Sequence, residues 1–289
     1  MPRLTFLIPS LLLCLAAPAH ADGKHFLWRV SKGGESLYLA GSVHVMRPSD
    51  YPLPAVMEQA FSGSAGLVEE LDLNQVDQED TQIQVMQLGS YPPGQSLKAA
   101  LPPALYQRLE KTAVEDRLDM TTLDRLKPWL VSITLLEAQL MRSGYDAGDG
   151  ADQHFAAEAQ AAHKPVIGLE QMQYQLGLLA GLSAADQQAL LLQSLDESTG
   201  FDAEMQQMIG AWHTGDTDTL EKQLTQEFSG YPEVYKTVLV SRNQAWAPRL
   251  EALLASGKRY FVIVGALHLV GPDGLLQRFK KDGYAVEQL

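Results

Sequence analysis

The same short motif occurs near both ends of the chain, each time directly after an apolar run typical of a buried strand. Gly41-Ser42-Val43-His44 follows residues 36–40, and Gly265-Ala266-Leu267-His268 follows residues 260–264. A strand that ends in Gly lets the backbone turn sharply and approach a ligand closely. In open α/β sheets, ligands bind at the carboxyl edge of the strands. The two motifs therefore predict a single site at which both ends of the chain meet.

The order of apolar runs and turn signals predicts the α/β fold class. We expect a single domain over residues 22–289, because no charge-rich linker or low-complexity tract divides the chain. Its mixed central sheet is built from both chain ends, and a large helical insertion covers about residues 97–162 and 172–256. The predicted strands are residues 26–30, 36–40, 67–73, 165–170, 260–264 and 284–286. The first two flank a Gly-Gly turn and form a hairpin, and the last is an edge strand.

The N-terminus reads as a secretory signal. A short basic start and an apolar run precede Ala19-His20-Ala21, so we expect cleavage after Ala21 and a periplasmic or secreted protein. A lipid anchor on Cys14 is disfavoured because Leu13 lacks the small side chain that lipobox processing needs. We expect no transmembrane segment in the mature chain. The formal net charge of −13 argues against nucleic acid as a partner.

Four of the strand-like runs end in a potential ligand or acid/base group: His44, Glu70, Glu170 and His268. Two His and one or two carboxylates are the ligand set of a catalytic divalent-metal centre, here Mn, Co, Zn or Fe. Such a metal activates bound water, and a carboxylate outside the ligand shell serves as general base. Without metal, a His activated by a carboxylate deprotonates water directly. Both chemistries predict hydrolysis of a peptide or small-molecule substrate.

Several of these residues have a structural alternative. Either motif histidine is also compatible with a half-buried structural role at a sheet end. Glu170 is equally compatible with a site role and with an N-terminal cap on the following helix. Asp152 and His154, two apart on a probable helix, do not share a face. The polar surroundings of the two remaining central histidines predict solvated surface positions; these are His163 and His213.

The chain resembles the TraB/GumN family. The resemblance rests on six segments, in order, across nearly the whole mature chain: residues 38–44, 51–54, 68–72, 166–170, Ser241-Arg242-Asn243 and 264–269. This family groups with Tiki-type proteins, described as metal-dependent proteases with two Gly-x-x-His motifs and an acidic residue. The resemblance implies that His44, Glu70 and His268 are the functional residues. It also implies that Glu170, Arg242 and Asn243 are their neighbours.

The resemblance also selects between adjacent acids. Strand alternation puts Glu69 and Glu70 on opposite faces, so that one points into the site. The match to the family's Glu-Leu-Asp pattern selects Glu70, and a solvated position is the structural alternative for Glu69 or Asp72. Arg242 lies in a predicted helix, where a salt-bridged surface Arg is the usual outcome; the resemblance alone suggests a catalytic, anion-binding role for it.

These observations lead to one leading hypothesis and two alternatives. The leading hypothesis is an exported, divalent-metal-dependent peptidase with Glu70, His44, His268 and Arg242 as catalytic residues. Its metal ligands are His44, His268, Glu70 and Glu170. The first alternative is a non-enzymatic protein that sequesters a peptide or other ligand. The second is a metal-independent esterase or amidase with a histidine base.

Overall fold

The strands of the chain form one mixed sheet. The computed structural model describes residues 23–196 and 200–289, so the predicted signal segment, residues 1–21, lies outside the described residues. The strands are β1 (Leu27–Lys32), β2 (Glu35–Ser42), β3 (Leu67–Glu69), β4 (Val166–Gly168), β5 (Phe261–Gly265) and β6 (Ala285–Gln288). Their order in the sheet is β4-β3-β5-β2-β1-β6. The predicted α/β class with a sheet built from both chain ends is confirmed.

The four strands β4, β3, β5 and β2 are parallel, so their carboxyl ends meet at one edge of the sheet. Ser42 pairs with Gly265, which places the two motif strands side by side in matching register. The strands β1 and β6 extend the sheet in antiparallel fashion. This confirms the predicted hairpin and the predicted edge strand.

The third strand is shorter than its sequence indicates. The run 67–73 predicts a strand throughout, but β3 ends at Glu69 and a short 3-10 turn follows at Leu73–Gln75. The chain leaves the sheet where β4 also ends, and the Glu170 N–H donates to the carbonyl of Glu70 at 2.8 Å. The prediction of a seven-residue strand is therefore wrong in its second half, and the acids there belong to a loop.

Helices fill most of the rest of the chain. They are α1 (Ala55–Ser62), α2 (Gln78–Gly89), α3 (Leu97–Ala100), α4 (Pro103–Glu115), α5 (Met120–Leu123), α6 (Pro128–Arg142), α7 (Ala151–Ala161), α8 (Met172–Ala180), α9 (Ala184–Asp196), α10 (Phe201–Thr214), α11 (Thr217–Glu227), α12 (Pro232–Tyr235), α13 (Ser241–Leu254) and α14 (Leu275–Lys281). One π-helical turn, Lys236–Val240, joins α12 to α13. Within the described part of the chain, no helix has the length and apolar character needed to cross a membrane.

The buried apolar residues of the described ranges form two hydrophobic clusters. The larger one packs helices on the sheet around Phe61, Phe155 and Phe261, whose rings touch one another. The second cluster lies among the inserted helices and includes Trp129 and Leu191. The sheet and the helices packed on it therefore share one hydrophobic cluster, and residues of α7, α8 and α13 reach the carboxyl edge of the sheet.

Candidate functional site

The carboxyl edge of the parallel strands brings the predicted residues together. His44 lies two residues beyond β2, Glu70 follows β3, Glu170 lies two residues beyond β4, and His268 lies in the 3-10 turn after β5. Arg242, near the start of α13, reaches the same edge and contacts three of them. All five predicted residues therefore belong to one cluster.

Glu70 lies at the centre of this cluster. Its Oε1 accepts the backbone N–H of Gly265 at 2.8 Å. The Nε2 atoms of His44 and His268 each lie 3.9 Å from the same oxygen. The second oxygen, Oε2, pairs with the Arg242 guanidinium and accepts from Gln175 Nε2 at 3.2 Å. Two imidazole nitrogens from opposite ends of the chain thus face one carboxylate oxygen.

His44 is held by a carboxylate on α7. Its Nδ1 donates to Asp152 Oδ2 at 3.0 Å, and Ser42 Oγ donates to the other Asp152 oxygen at 2.8 Å. An imidazole oriented through Nδ1 presents Nε2 to the site. Desolvation alone would lower the pKa of His44, but the charge of Asp152 and the hydrogen bond to it prevail and raise the pKa to about 9. His44 is therefore protonated at neutral pH.

His268 is neutral by contrast. The Asn243 amide nitrogen donates to the carbonyls of His268 and Asp273, at 3.1 and 3.0 Å. This leaves Asn243 Oδ1 as acceptor for His268 Nδ1–H at 2.7 Å, so Nε2 carries a lone pair, which receives Arg242 Nη1–H at 3.1 Å. Burial lowers the pKa of His268 to about 3, with the Arg242 charge acting in the same direction and Glu70 opposing it.

Arg242 joins the two predicted carboxylates. Its guanidinium donates to Glu170 from Nε at 3.0 Å and pairs with Glu70 through Nη2. Trp246 Nε1 donates to Glu170 Oε1 at 2.8 Å. The side chains of Arg242 and Glu170 are only 11% and 4% exposed. The usual expectation of a surface Arg is therefore wrong here, and Glu170 is part of the cluster rather than a helix cap; the residue before α8 is Gln171, which forms no side-chain cap.

The charges at Glu70 keep it ionised. Burial alone would raise the pKa of Glu70, but His268, His44, Arg242 and the Gly265 N–H together lower it to about 2. Because His268 is neutral near pH 7, the stabilising charge at that pH comes from Arg242 and His44. At neutral pH the site therefore holds the protonated imidazole of His44 and the guanidinium of Arg242 beside the ionised carboxylate of Glu70.

The two motif glycines have different roles. A Cβ built on Gly41 would lie 2.4 Å from the ring of Phe26, inside the hydrophobic cluster. A Cβ built on Gly265 would lie 3.0 Å from His44 Nε2 and 3.3 Å from Glu70 Oε1. Gly41 therefore permits close packing, whereas Gly265 leaves the space between His44 and Glu70 open.

Three residues of the site were not predicted as such. Asp152 was predicted to lie on a helix, with no partner in the site. Gln175 donates to Glu70 and Glu170 at 3.2 and 3.1 Å, and no sequence pattern marks it as a functional residue. A solvated position, the structural alternative for Glu69, is wrong, because this residue is 2% exposed. Burial raises the pKa of Glu69 to about 8, and the charge of Asp152 adds to the effect.

The other histidines considered in the sequence, His154, His163 and His213, lie away from this edge. His154 pairs with Glu58 at 2.7 Å, so Asp152 and His154 do face different partners, as the helical spacing predicts. His163 is exposed, as expected. His213 is half-buried and lines a separate cavity of about 420 Å³ with Tyr51 and Tyr145, so the prediction of a solvated His213 is wrong.

Comparison with known proteins shows the family of the chain. The family model described as the TraB/PrgY/gumN family matches residues 26–288. The chain belongs to this family. The protein named "Uncharacterized protein YbaP" of Escherichia coli (strain K12) is 26% identical over 263 residues, with 89% of this chain and 94% of that protein covered. No solved structure matches significantly.

Two animal proteins are also similar to the chain. "Metalloprotease TIKI1" of Danio rerio is 24% identical, with 95% of this chain and 65% of that protein covered. "Metalloprotease TIKI homolog" of Nematostella vectensis is 24% identical, with 91% and 66% covered. The resemblance to the TraB/GumN and Tiki-type proteins, drawn from the motifs, is confirmed.

Because the two Tiki relatives are named as metalloproteases, we asked whether the residues of this site could hold a metal ion. Within residues 23–196 and 200–289, no group of three or more His, Cys, Asp or Glu side chains is arranged to hold a metal ion. Arg242 accounts for this: its Nη1 faces the lone pair of His268 Nε2, and its Nη2 takes one oxygen of Glu70. A metal bound by these two residues would have to displace the guanidinium. In this arrangement the residues do not fit a metal ion.

Proposed function

We propose that this protein is an exported hydrolase that cleaves an amide bond in a peptide, at the site formed by His44, Glu70, Arg242 and His268. The observation that carries the proposal is the position of two histidine Nε2 atoms, each 3.9 Å from Glu70 Oε1, beside a cavity of about 240 Å³. The Tiki relatives, named as metalloproteases, support the peptidase class.

Each residue has a role that follows from its charge. The protonated His44 stabilises the developing oxyanion and supplies the proton that the leaving amine needs, while Asp152 orients it. Glu70 accepts a hydrogen bond from the attacking water, and its low pKa makes it a weak base on its own. Arg242, fixed by Glu170, keeps Glu70 ionised and adds positive charge near the reaction. His268, uncharged, accepts Arg242 Nη1–H at its Nε2 atom and so holds the guanidinium beside Glu70.

The reaction balances with these groups alone. The water oxygen forms a bond to the scissile carbonyl carbon while one of its protons passes to Glu70 Oε1. The C–N bond then breaks, and the amine nitrogen takes the proton of His44 Nε2. Transfer of the proton from Glu70 to His44 restores the starting state. No step requires an oxidant or a further reactant.

A matched set of histidine variants tests the proposal. The mature chain is incubated with a mixed peptide library, and new termini are identified by mass spectrometry. We expect cleavage by the parent protein and by His163→Asn. We expect a loss of about 10²-fold or more in His44→Asn, which lacks the acid, and a comparable loss in His268→Asn, which no longer holds Arg242 beside Glu70. Asn is used throughout because the control position has φ of 52°, which Asn tolerates. Cleavage by both site variants at the parent rate would contradict the proposal.

The second candidate is a divalent-metal-dependent peptidase, favoured by the names of the Tiki relatives. The metal content of protein purified without tag or chelator, measured by mass spectrometry, distinguishes the two. About one equivalent of Mn, Co, Zn or Fe in the parent and none in a His44→Ala/His268→Ala variant supports the metal enzyme. Full activity in chelator supports the metal-free site. Stoichiometric peptide binding without cleavage would instead indicate a sequestering protein.

A further inference from the structure

Two stretches of this chain are unusually free of charge. Residues 81–97 and 171–185 are the longest segments of residues 22–289 without Asp, Glu, Lys, Arg or His, although 20% of the whole chain is charged. Charged side chains lie mostly at protein surfaces, so a segment without them is expected to be buried. Both segments instead form surface helices: the first covers α2 from Thr81 onward, and the second includes all of α8.

Each of these helices has an inward face that satisfies the fold. The inward residues pack on the second hydrophobic cluster and are Val85, Leu88, Met172 and Leu179. The outward faces are apolar as well: Ile83 and Met86 on α2 are each 47% exposed, and Tyr174 on α8 is 45% exposed. Outward positions of a surface helix ordinarily carry charged or polar side chains. The packing of the core therefore does not explain these three apolar residues.

The outward faces of the two helices adjoin, because α2 packs against α8. Further exposed side chains on these faces are amides, namely Gln82, Gln87 and Gln173. We call the six residues Gln82, Ile83, Met86, Gln87, Gln173 and Tyr174 the α2/α8 face. Its amides form hydrogen bonds without charge, its methionine adapts in shape, and its tyrosine supplies a large amphipathic surface. Together these groups complement a polypeptide backbone with apolar side chains.

The α2/α8 face borders the proposed hydrolytic site. Gln175, the residue after Tyr174, donates from Nε2 to Glu70 at 3.2 Å and to Glu170 at 3.1 Å. Gln175 also lines the cavity of about 240 Å³ beside His44. One helix thus contributes both to the site and to the surface next to it. A polypeptide that lies in the cavity reaches the α2/α8 face with its neighbouring residues.

Building on the proposed hydrolase, we propose that the α2/α8 face binds an uncharged, apolar segment of the polypeptide substrate, beyond the residues that occupy the cavity. Liquid water takes up about 30 Å³ per molecule, so the cavity holds roughly one side chain and leaves the rest of the substrate outside. Apolar side chains on the face remove the exposed surface of Ile83, Met86 and Tyr174 from water. A charged side chain there loses hydration and finds no opposite charge among the residues of the face.

Binding of two peptide libraries tests the proposal without requiring turnover. Both libraries contain random peptides of equal length. One is built from Ala, Leu, Val, Ser and Gln, and the other has Asp and Lys in place of Val and Ser. The mature chain carries His44→Asn so that cleavage does not consume the peptides, and bound peptides are quantified by mass spectrometry after equilibrium dialysis. We expect roughly tenfold stronger retention of the uncharged library.

A matched pair of double variants assigns the retention to the α2/α8 face. Ile83→Lys/Met86→Lys places two lysines on the face, and we expect roughly tenfold weaker retention of the uncharged library with an unchanged melting temperature. Val114→Lys/Met141→Lys makes the same change of charge at apolar positions on α4 and α6 that are each 77% exposed, and keeps the retention. Tyr174→Lys, on the other helix, with Val114→Lys as its control, repeats the test should the first pair not fold.

Four results overturn the proposal. The first three are equal retention of the two libraries, no retention of either library, and equal retention by the two lysine pairs. The fourth is binding to phosphatidylcholine vesicles that is lost in Ile83→Lys/Met86→Lys, without any preference among peptides. That result assigns the face to a lipid surface instead.

The outcome is separable from that of the hydrolase proposal. Retention is measured in a variant that lacks His44 and does not depend on cleavage. Preferential retention that is lost in Ile83→Lys/Met86→Lys, together with no cleavage by the parent protein, supports the α2/α8 face and contradicts the hydrolase. Cleavage by the parent protein without preferential retention contradicts the role of the face alone.

Discussion

Replacing Asp152 with Asn tests how the proton on His44 is held. The substitution keeps the shape of the side chain and its contact with Ser42, but removes the charge that outweighs desolvation. We therefore expect the pKa of His44 to fall from about 9 to below the ordinary value of about 6.5. The assay is a pH titration of the His44 ring proton by NMR, assigned by its absence in His44→Asn.

The same substitution has a predictable effect on stability. In the parent, the pKa of folded His44 lies above its unfolded value, so its stabilisation is complete below pH 6.5 and is lost as the pH rises through 9. The pKa of Asp152 is lowered, so its contribution requires a pH above its ordinary range near 3.9. His44 is 55% exposed and Asp152 18%. Because solvent screens charges at these exposures, we expect Asp152→Asn to lower the free energy of unfolding by about 1 kcal/mol in the window from pH 5 to pH 6.5.

Urea unfolding at pH 6 and pH 9.5 measures that difference. Asp218→Asn is the control, because this exposed Asp also lies in the first turn of a helix, α11, and reports the helix-dipole effect alone. The expected destabilisation by Asp152→Asn is about 1 kcal/mol at pH 6 and close to that of the control at pH 9.5. An unchanged His44 titration, or the same stability loss at both pH values, would refute the reasoning.

Three further substitutions test the ion pair at Glu70 and the two motif glycines. Arg242→Met leaves Glu70 buried without its cation, and should cost about 3–5 kcal/mol in urea unfolding; a loss below 1 kcal/mol would contradict the buried ion pair. Gly265→Ala should abolish peptide cleavage with little change in melting temperature, because its methyl group enters the space beside Glu70. Gly41→Ala should instead destabilise the fold by about 1–3 kcal/mol in the same unfolding assay, because its methyl group meets the Phe26 ring. Equal effects of the two alanines on stability would contradict the division of roles.

The edge of the sheet that holds the site could be predicted because its strands have a recognisable sequence pattern. Apolar runs that end in Gly or an acid identify β2, β3, β4 and β5, and parallel strands place their carboxyl ends together. His44, Glu170 and His268 follow directly from that rule, and the resemblance to the family selected Glu70 over Glu69. The resemblance to the family added Arg242, whose helical position alone predicts an ordinary surface residue.

What the sequence could not predict depends on contacts between distant segments. Asp152 lies on α7, and nothing in its own surroundings indicates that the helix start meets the end of β2. Helix α2 was absent from the predicted elements because its apolar side chains are sparse, and two of them, Ile83 and Met86, are exposed. Glu69 follows the pattern of a solvated acid, but it is buried in β3, which lies between β4 and β5 and is packed by α7. The sequence of a strand does not by itself indicate which helix will pack on it.

The central claim is that two distant motifs serve one hydrolytic centre at Glu70. The most direct test is the rate of cleavage of one library peptide by His44→Asn, His268→Asn and the double variant. When residues act as a unit in catalysis, the losses of rate caused by their single substitutions do not add up in the double variant. We predict that each single variant loses nearly all activity and that the double variant is no slower. Losses that multiply in the double variant, or full activity in either single variant, would contradict the claim.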